Sequence, residues 1–443
     1  MIYLIAWLEG VIGLSIELLF IRQLGPEAGG NYIATALVTA ATLIGLTLGY
    51  LSGTRSTETP MSQISMNLIK VGGVATVTLS SLAISTTFMV MTNHMPRLAV
   101  LAVYTCFSCI PISYWLAQTF PLLLQEAHRR NSHHQSLPAK TMAVTTLGNV
   151  IGIGTISLGM VFVLGVPAAL TSVILLSLLT ALLCHTTGLR LATVCSLAVL
   201  AFPLNYLLPM ITLDEANLYN DIYVVESSMQ RQMIINNAVH SSIGYDGQPS
   251  EYIQHTQKAL SELPDGAEVL VLGAGGFTLS EGAGVAHLIF TYVDIDPSLK
   301  ALAEKKFLEK TINGSFIESD ARHFLDTAAQ SYDAILLDVF NSRFSVPATV
   351  LTVEAYHAIR DRLNEDGILI INRIAHQNLL DDYAKNSMAT ISSVFPVCYH
   401  ERVQTDTEAS SMVNIISTCS KTRAGLYRDP INRSELDYVR TGL

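Results

Sequence analysis

The stretch EVLVLGAGGFTLSEGAGVAHLIFTYVDID, residues 268–296, places two apolar runs on either side of a glycine cluster. EVLVL and IFTYVD have the length and the β-branched, aromatic composition of buried strands. Between them Gly273, Gly275 and Gly276 offer backbone without side chains, which a ligand can approach closely. The residues after the glycines read as a helix, and the second run ends at Asp294, 21 residues beyond Gly273. A carboxylate at that position accepts hydrogen bonds from both ribose hydroxyls, so the stretch predicts a nucleoside site. It is not a pyrophosphate fingerprint, because the sixth position of G-x-G-x-x-G is Thr278. Nicotinamide and flavin cofactors therefore fall in rank.

Downstream, strand-like and helix-like runs alternate. Strands are expected at 268–272, 289–294, 314–318, 333–338 and 367–372, with a last pair near 396–402 and 411–419. That order predicts a Rossmann-like α/β domain over 263–443, a mostly parallel sheet with ligands at the carboxyl ends of its strands. Upstream, YNDIYVVES (219–227) and RQMIINNAVHSS (231–242) predict a small β-rich lead-in over 210–262. Asp320 and Asp338 end the third and fourth predicted strands. With Asp294 they make an acidic crevice along one sheet edge, which suits a cationic ligand. Asp338, after the run AILL, is expected to be partly desolvated, and Asp320 also fits a helix N-cap.

The rest of the chain is unlike this domain. Of 443 residues half are hydrophobic and 14% are charged. Residues 1–209 carry eight Lys/Arg against five Asp/Glu, and residues 210–443 eighteen against thirty-one, giving net charges of +3 and −13. A crossing helix needs about 20 apolar residues. Seven candidate spans lie at 2–21, 32–53, 66–91, 98–121, 142–164, 166–184 and 191–209, so 1–209 is expected to be a multi-pass α-helical bundle in a lipid bilayer. Glu9 and Glu17 share a face of the first span, where a carboxylate is costly; either Glu17 pairs with Arg22 or a neighbouring helix, or the two mark a small-molecule path through the bundle.

Orientation pulls two ways. Seven spans with a cytosolic C-terminal domain put Arg55, Arg129, Arg130, Lys140 and Arg190 outside, against the positive-inside rule. A bacterial inner membrane with a cytosolic catalytic domain is the expectation, and span parity stays open. The acidic soluble half argues against a nucleic-acid partner. The six cysteines do not resemble a disulfide framework, so a reducing compartment is expected. Cys106-x-x-Cys109 lies in an uncharged run and reads as packing, and no metal is expected; the HRRNSHHQ loop from His128 has no ligand spacing either.

Residues 217–420 resemble the spermidine synthases, or polyamine aminopropyltransferases, and their membrane-fused relatives. The resemblance is carried, in order, by YNDIYVVE, EYIQH, the glycine turn, YVDID, SDARHFL, YDAILLDVFNS with Pro347 downstream, and LNEDGILI. LSIELLFIRQLG and GNVIG in the apolar half are similar to the membrane-fused forms. The resemblance implies S-adenosylmethionine or its decarboxylated form as a small-molecule substrate, with 5′-methylthioadenosine as leaving group. It assigns ribose to Asp294, adenine to Asp320 and a nucleoside contact to Asn220. It makes Asp338 the acid that positions and deprotonates an attacking amine, with His255 beside it. Gln254, Asn341 and Tyr356 would line the substrate pocket. A homo-oligomer is compatible with all of this.

Two departures bear on the reaction. The synthases read GGGDGG where this chain reads GAGGFT, and DSSDP where it reads DVFNS, so two acids that meet ammonium groups are missing. Gln254 replaces a tyrosine. A site short of anions is poorly made for a diamine. This favours intramolecular displacement, in which intact S-adenosylmethionine is attacked by its own carboxylate to give homoserine lactone. Aminopropyl transfer, methyl transfer, and a transporter or sensor with a nucleoside-binding domain are the alternatives.

Overall fold

The computed structural model describes all residues except 29–30, 54–58, 131–134, 340–347, 377–381, 404–411 and 422–443. It has two compact units. One holds Met1–Tyr223 with Ile235–Ala238, and the other most of the remaining chain.

The first unit is helical: α1 (Ile2–Ala28), α2 (Asn31–Ser52), α3 (Pro60–Thr78), α4 (Ser81–Met91), α5 (Arg97–Ala117), α6 (Thr119–Arg129), α7 (Leu137–Gly152), α8 (Val161–Cys184), α9 (Gly188–Phe202) and α10 (Leu208–Thr212). Among the described residues, five runs are long and apolar enough to cross a membrane, and a sixth if α3 and α4, bent by 59°, count as one. Segments 142–164 and 166–184 fall within one apolar run, Leu137–Cys184, in which a π-helical stretch at Ile153–Met160 joins α7 to α8. The run is kinked at Gly165 (φ 82°), where two helices meet between the two expected segments.

The helices approach one another closely at small residues. A Cβ on Gly49 of α2 would stand 2.4 Å from the Tyr114 carbonyl of α5, and one on Gly148 of α7 would stand 2.2 Å from the Trp7 carbonyl of α1. Side-chain amides link α3 and α2 through the α5–α6 junction. Asn67 donates to Gln118 at 2.8 Å, and Gln118 to Ser52 at 3.1 Å. Arg22 pairs with Asp221 at 2.8 Å rather than with Glu17, which accepts from Thr39 at 3.2 Å.

A small sheet follows, in the order β1 (Glu215–Ala216), β2 (Asp221–Glu226), β3 (Gln230–Ile235), β4 (Ala238–Gly244). Asn236 and Asn237, at φ 50° and 61°, make the tight turn between β3 and β4. After α11 (Glu251–Leu260) comes the large sheet of β5 (Glu268–Leu272), β6 (Ile289–Asp294), β7 (Ser315–Glu318), β8 (Tyr332–Leu337), β9 (Leu363–His376), β10 (Val397–Val403) and β11 (Met412–Ser420). Its order is β10-β11-β9-β8-β5-β6-β7. β7, β6, β5, β8 and β9 run parallel, and β11 and β10 are antiparallel. Helices α12 (Ser298–Leu302), α13 (Ala321–Thr327), α14 (Val353–Arg362) and α15 (Asp382–Val394) connect the strands. Leu270, Leu272, Ile335, Leu337, Leu369 and Ile371, alternate residues of three central strands, pack with Tyr356, Ile359 and Ile391 in one buried cluster.

Two expectations fail here. The helix expected between β5 and β6 is replaced by two three-residue 3₁₀ turns, Thr278–Ser280 and Ala283–Val285. Phe277 at φ 60° and Gly282 at φ 112° break the backbone on either side of the first. The chain also has a disulfide: Cys398 and Cys419, 21 residues apart, are bonded. They are opposite partners in the β10–β11 ladder, which a scan of cysteine spacing cannot detect.

Gly49→Ala and Gly148→Ala are expected to lower the thermal stability of the detergent-solubilised protein by roughly 1–3 kcal/mol through overpacking. Gly154→Ala, where a Cβ meets nothing within 4 Å, is expected to be neutral or stabilising, as alanine is in an ordinary helix. Equal effects at all three positions would contradict the packing.

Candidate active site

The sheet order sets the site. β5 lies between β6 and β8, so the chain leaves β5 in one direction for β6 and β7 and returns on its other side for β8 and β9. Such a reversal opens a crevice at the carboxyl ends of the two diverging strands. Gly273 follows β5 and Asp338 follows β8, and the Asp338 amide donates to the Leu272 carbonyl at 2.9 Å. Gly273 has φ 92°, and a Cβ there would lie 2.2 Å from the Asp338 carbonyl. Only glycine allows both the turn and the approach.

Asp338 is the best-supported side chain of the crevice. Its Oδ1 accepts from Asn372 Nδ2 at 2.8 Å and its Oδ2 from the Tyr252 hydroxyl at 3.2 Å. Asn372, on β9, is itself fixed by Asn414 of β11 at 3.2 Å. Burial pushes the Asp338 carboxyl up to about 6, against the pull of the two hydrogen bonds. Burial, and then the charge of Asp338, raise the Tyr252 hydroxyl well above its usual range, so Tyr252 keeps its proton and donates. Burial lowers His240, on β4, to about 4, which makes it a neutral imidazole.

The other side of the crevice is built from the glycine turn and β6. Asp294 Oδ2 accepts from the Ala274 amide at 2.9 Å and Oδ1 from the Asp296 amide at 3.1 Å. Burial raises its carboxyl to about 6, opposed by those amides. Much of its acceptor capacity thus holds the turn in shape. The Gly276 amide is taken by Ser241 Oγ of β4 at 2.8 Å, and a Cβ at 276 would come within 2.3 Å of the Phe307 ring. Asp320 caps α13, its Oδ1 accepting from the His323 amide at 2.9 Å, and is exposed. It stands one strand beyond Asp294, since β7 pairs with β6 and the Ser319 amide donates to the Asp294 carbonyl at 2.9 Å.

The remaining expected residues lie elsewhere. His255 Nε2 lies 2.7 Å from a Glu401 carboxylate oxygen, in a groove also lined by Gln254, Lys258 and Arg402. Gln254 donates to the Pro249 carbonyl at 2.7 Å. On α11 it is therefore Tyr252 that reaches Asp338. Asn220 belongs to the helical unit, where Asn236 donates to it at 2.8 Å. Tyr356 is fully buried under the sheet, and Asn341 lies outside the described residues. Among the described residues there is no group of three or more side chains placed to hold a metal ion.

Tyr252, Asn372, Asn414 and Ser241 were not evident from sequence. Tyr252 stood inside EYIQH, but its role depends on the rotational phase of α11. The two asparagines depend on strand pairing, which no local pattern encodes.

No protein-family model matches this chain. The chain resembles polyamine aminopropyltransferases: it is 27% identical over 167 residues to polyamine aminopropyltransferase 2 of Aquifex aeolicus (strain VF5), covering 35% of this chain and 30% of that protein. It is 29% identical over 171 residues to polyamine aminopropyltransferase 2 of Hyperthermus butylicus, covering 35% and 53%. The chain thus spans about a third to a half of the length of these curated relatives. Among solved structures, a probable spermidine synthase from Corynebacterium glutamicum ATCC 13032 aligns at TM-score 0.40 and 21% identity, covering 48% of this chain and 81% of that one.

The folded state holds a proton on Asp338 up to about pH 6, against 3.8 for the ordinary group. The stability this contributes is present below about pH 4 and lost as pH rises through 6. Asp338→Asn is therefore expected to stabilise the protein by on the order of 1–3 kcal/mol near neutral pH and to have no effect below about pH 4. Denaturation of both proteins across that range checks it; destabilisation at neutral pH would mean that the carboxylate is not a buried, costly charge.

Proposed function

We propose that the α/β domain is an S-adenosylmethionine-type enzyme of the aminopropyltransferase kind. It would break the sulfonium carbon–sulfur bond and release 5′-methylthioadenosine. The observation that carries this is Asp338, a partly desolvated carboxylate at the topological switch point, held by Tyr252 and Asn372, in a segment similar to polyamine aminopropyltransferases. Decarboxylated S-adenosylmethionine is the proposed aminopropyl donor.

The chemistry asks little of the protein beyond placement and one proton. A primary amine is protonated near neutral pH and cannot attack. A carboxylate raised to about 6 is a better proton acceptor than an ordinary aspartate while remaining ionised near pH 7. Asp338 orients the amine and takes its proton, the nitrogen bonds to the carbon beside sulfur, and the bonding pair leaves on sulfur as a neutral thioether. Gly273, Gly275 and Gly276 give the nucleoside its approach, and Asp294 and Asp320 face its ribose and base. The apolar helices are read as a membrane bundle carrying this domain.

One observation favours a second reading, intramolecular displacement within intact S-adenosylmethionine. The glycine turn offers no acid to the free end of an aminopropyl arm, and Phe307 and Ser241 fill the space around Gly276. Full-length protein in detergent should be given decarboxylated cofactor with primary amines, and intact cofactor alone. Methylthioadenosine from the first mixture supports transfer, and from the second the lyase. S-adenosylhomocysteine instead would make it a methyltransferase, and no product from either mixture would contradict both readings. Asp338→Asn is expected to cut turnover by about 10²–10⁴-fold. The rate should rise with pH through about 6 in the unmodified enzyme. Tyr252→Phe removes a hydrogen bond to the ionised form and should move that limb to higher pH.

A further inference from the structure

Contacts within the helical unit sort its helix ends onto two faces. On the first face, Gln23 near the end of α1 donates to the Leu79 carbonyl just after α3 at 2.9 Å. Arg97, which opens α5, pairs with Glu27 of α1. The chain leaves the helical unit on this face. Arg22 of α1 donates to the Asn217 carbonyl at 2.7 Å and pairs with Asp221 at 2.8 Å, and Asn237 donates to Glu27 at 3.0 Å. A Cβ at Gly165, the kink of α8, would stand 3.0 Å from the Ala216 carbonyl. On the second face, Gln118 just after α5 donates to Ser52 at the end of α2. Ser65 of α3 donates to the His185 carbonyl just after α8 at 3.0 Å, and Arg190 of α9 to Ser62 at 2.7 Å. α7 runs alongside α1 in the same direction, Thr145 meeting Ala6 and Gly152 meeting Val11, so it too starts on the second face.

Basic residues are divided unequally between these faces. Of the eight Lys/Arg in residues 1–209, Arg55 falls in the connection between α2 and α3, whose flanking ends are on the second face. Arg129 and Arg130 end α6, which follows Gln118 and at 11 residues is too short to cross. Lys140 is in the first turn of α7 and Arg190 in the first turn of α9. Only Arg22 and Arg97 belong to the first face, and Lys70 lies inside α3, over the Trp115 ring. Lys and Arg in short connections between crossing helices stay in the cytosol. The second face is then cytosolic, and the first, from which the chain enters the α/β domain, is not. A long acidic domain does not oppose this, because the rule counts basic residues in short loops and large domains translocate regardless of charge.

A second observation comes from the α/β domain itself. Cys398 and Cys419 are bonded, and they are the only cysteines in residues 210–443. The free cysteines, Cys106, Cys109, Cys184 and Cys195, all belong to the apolar half. Structural disulfides form and persist outside the cytosol, where thiols are not kept reduced. Charge in one unit and cysteine chemistry in the other therefore indicate the same side.

We propose that the α/β domain lies on the non-cytosolic side of the membrane. This reverses the cytosolic placement expected from sequence, and it rests on reading the apolar helices as a membrane bundle. It also sets what must precede the reaction. An adenosyl sulfonium is a fixed cation, and a bare charge does not enter an apolar bilayer cheaply. A donor made in the cytosol must therefore be passed across the membrane by a transport step before the crevice can use it.

The test uses the full-length chain in bacterial cells. Alkaline phosphatase, active only outside the cytosol, and green fluorescent protein, fluorescent only inside it, are each fused after Leu443. Separately, Lys305→Cys, exposed just after α12, and Lys140→Cys, exposed at the start of α7, are treated in intact cells with a membrane-impermeant maleimide. The unmodified chain serves as the blank. The expected results are phosphatase activity without fluorescence, labelling of Lys305→Cys in intact cells, and labelling of Lys140→Cys only after permeabilisation. Cys398 and Cys419 should resist alkylation in the denatured chain until it is reduced. A fluorescent fusion, labelling of Lys140→Cys before permeabilisation, or free thiols at Cys398 and Cys419, in a chain that stays in carbonate-washed membranes, overturns the orientation and leaves the bundle standing. Release of the chain by carbonate overturns both. None of these readouts depends on catalysis, so they stand apart from success or failure of the transferase reading.

Discussion

A carboxylate kept partly out of water at the point where β5 and β8 diverge is the constraint around which the α/β domain is arranged. Asp338 is costly to ionise there, and the surroundings are spent on making it bearable. Tyr252 comes from α11, Asn372 from β9, and Asn414 from β11 steadies Asn372. Gly273 has no side chain because the Asp338 carbonyl occupies the place of its Cβ. Two pieces of chain therefore bond that side chain directly, and two more hold its partner and its backbone. A fold with no use for that charge would gain stability by discarding it.

The same economy runs through the side of the crevice formed by the glycine turn and β6. Asp294 first organises the glycine turn through backbone amides, and Ser241 takes the Gly276 amide. With no helix between β5 and β6, helix-dipole stabilisation of an anion is not available there. The site is organised by acids and amides, consistent with a cationic ligand that has no phosphates.

The strands of the large sheet were legible because each is a short apolar run bounded by turn residues, and every parallel strand except β9 ends within a residue or two of its pattern. The aspartates at strand ends were legible for the same reason. What stayed hidden depends on three-dimensional pairing. The Cys398–Cys419 bond needs the β10–β11 register, and the choice of Tyr252 over His255 needs the phase of α11. The missing helix after β5 was misread because FTLSEGAGV has helix-length spacing, while its left-handed Phe277 and Gly282 cannot continue a helix. In the apolar half hydropathy located the helices, and the break expected at Gly165 is a kink between two helices within one long apolar run.

The central claim is that Asp294 and Asp338 face one ligand, an adenosyl group bearing sulfur, in a single crevice. Calorimetric titration of the full-length protein with S-adenosylmethionine and with methylthioadenosine tests it most directly, using the unmodified chain, Asp294→Asn and Asp338→Asn. The account predicts one equivalent bound per chain and at least about tenfold weaker binding of the sulfonium by each variant. No uptake of either ligand, or uptake indifferent to both substitutions, would contradict it.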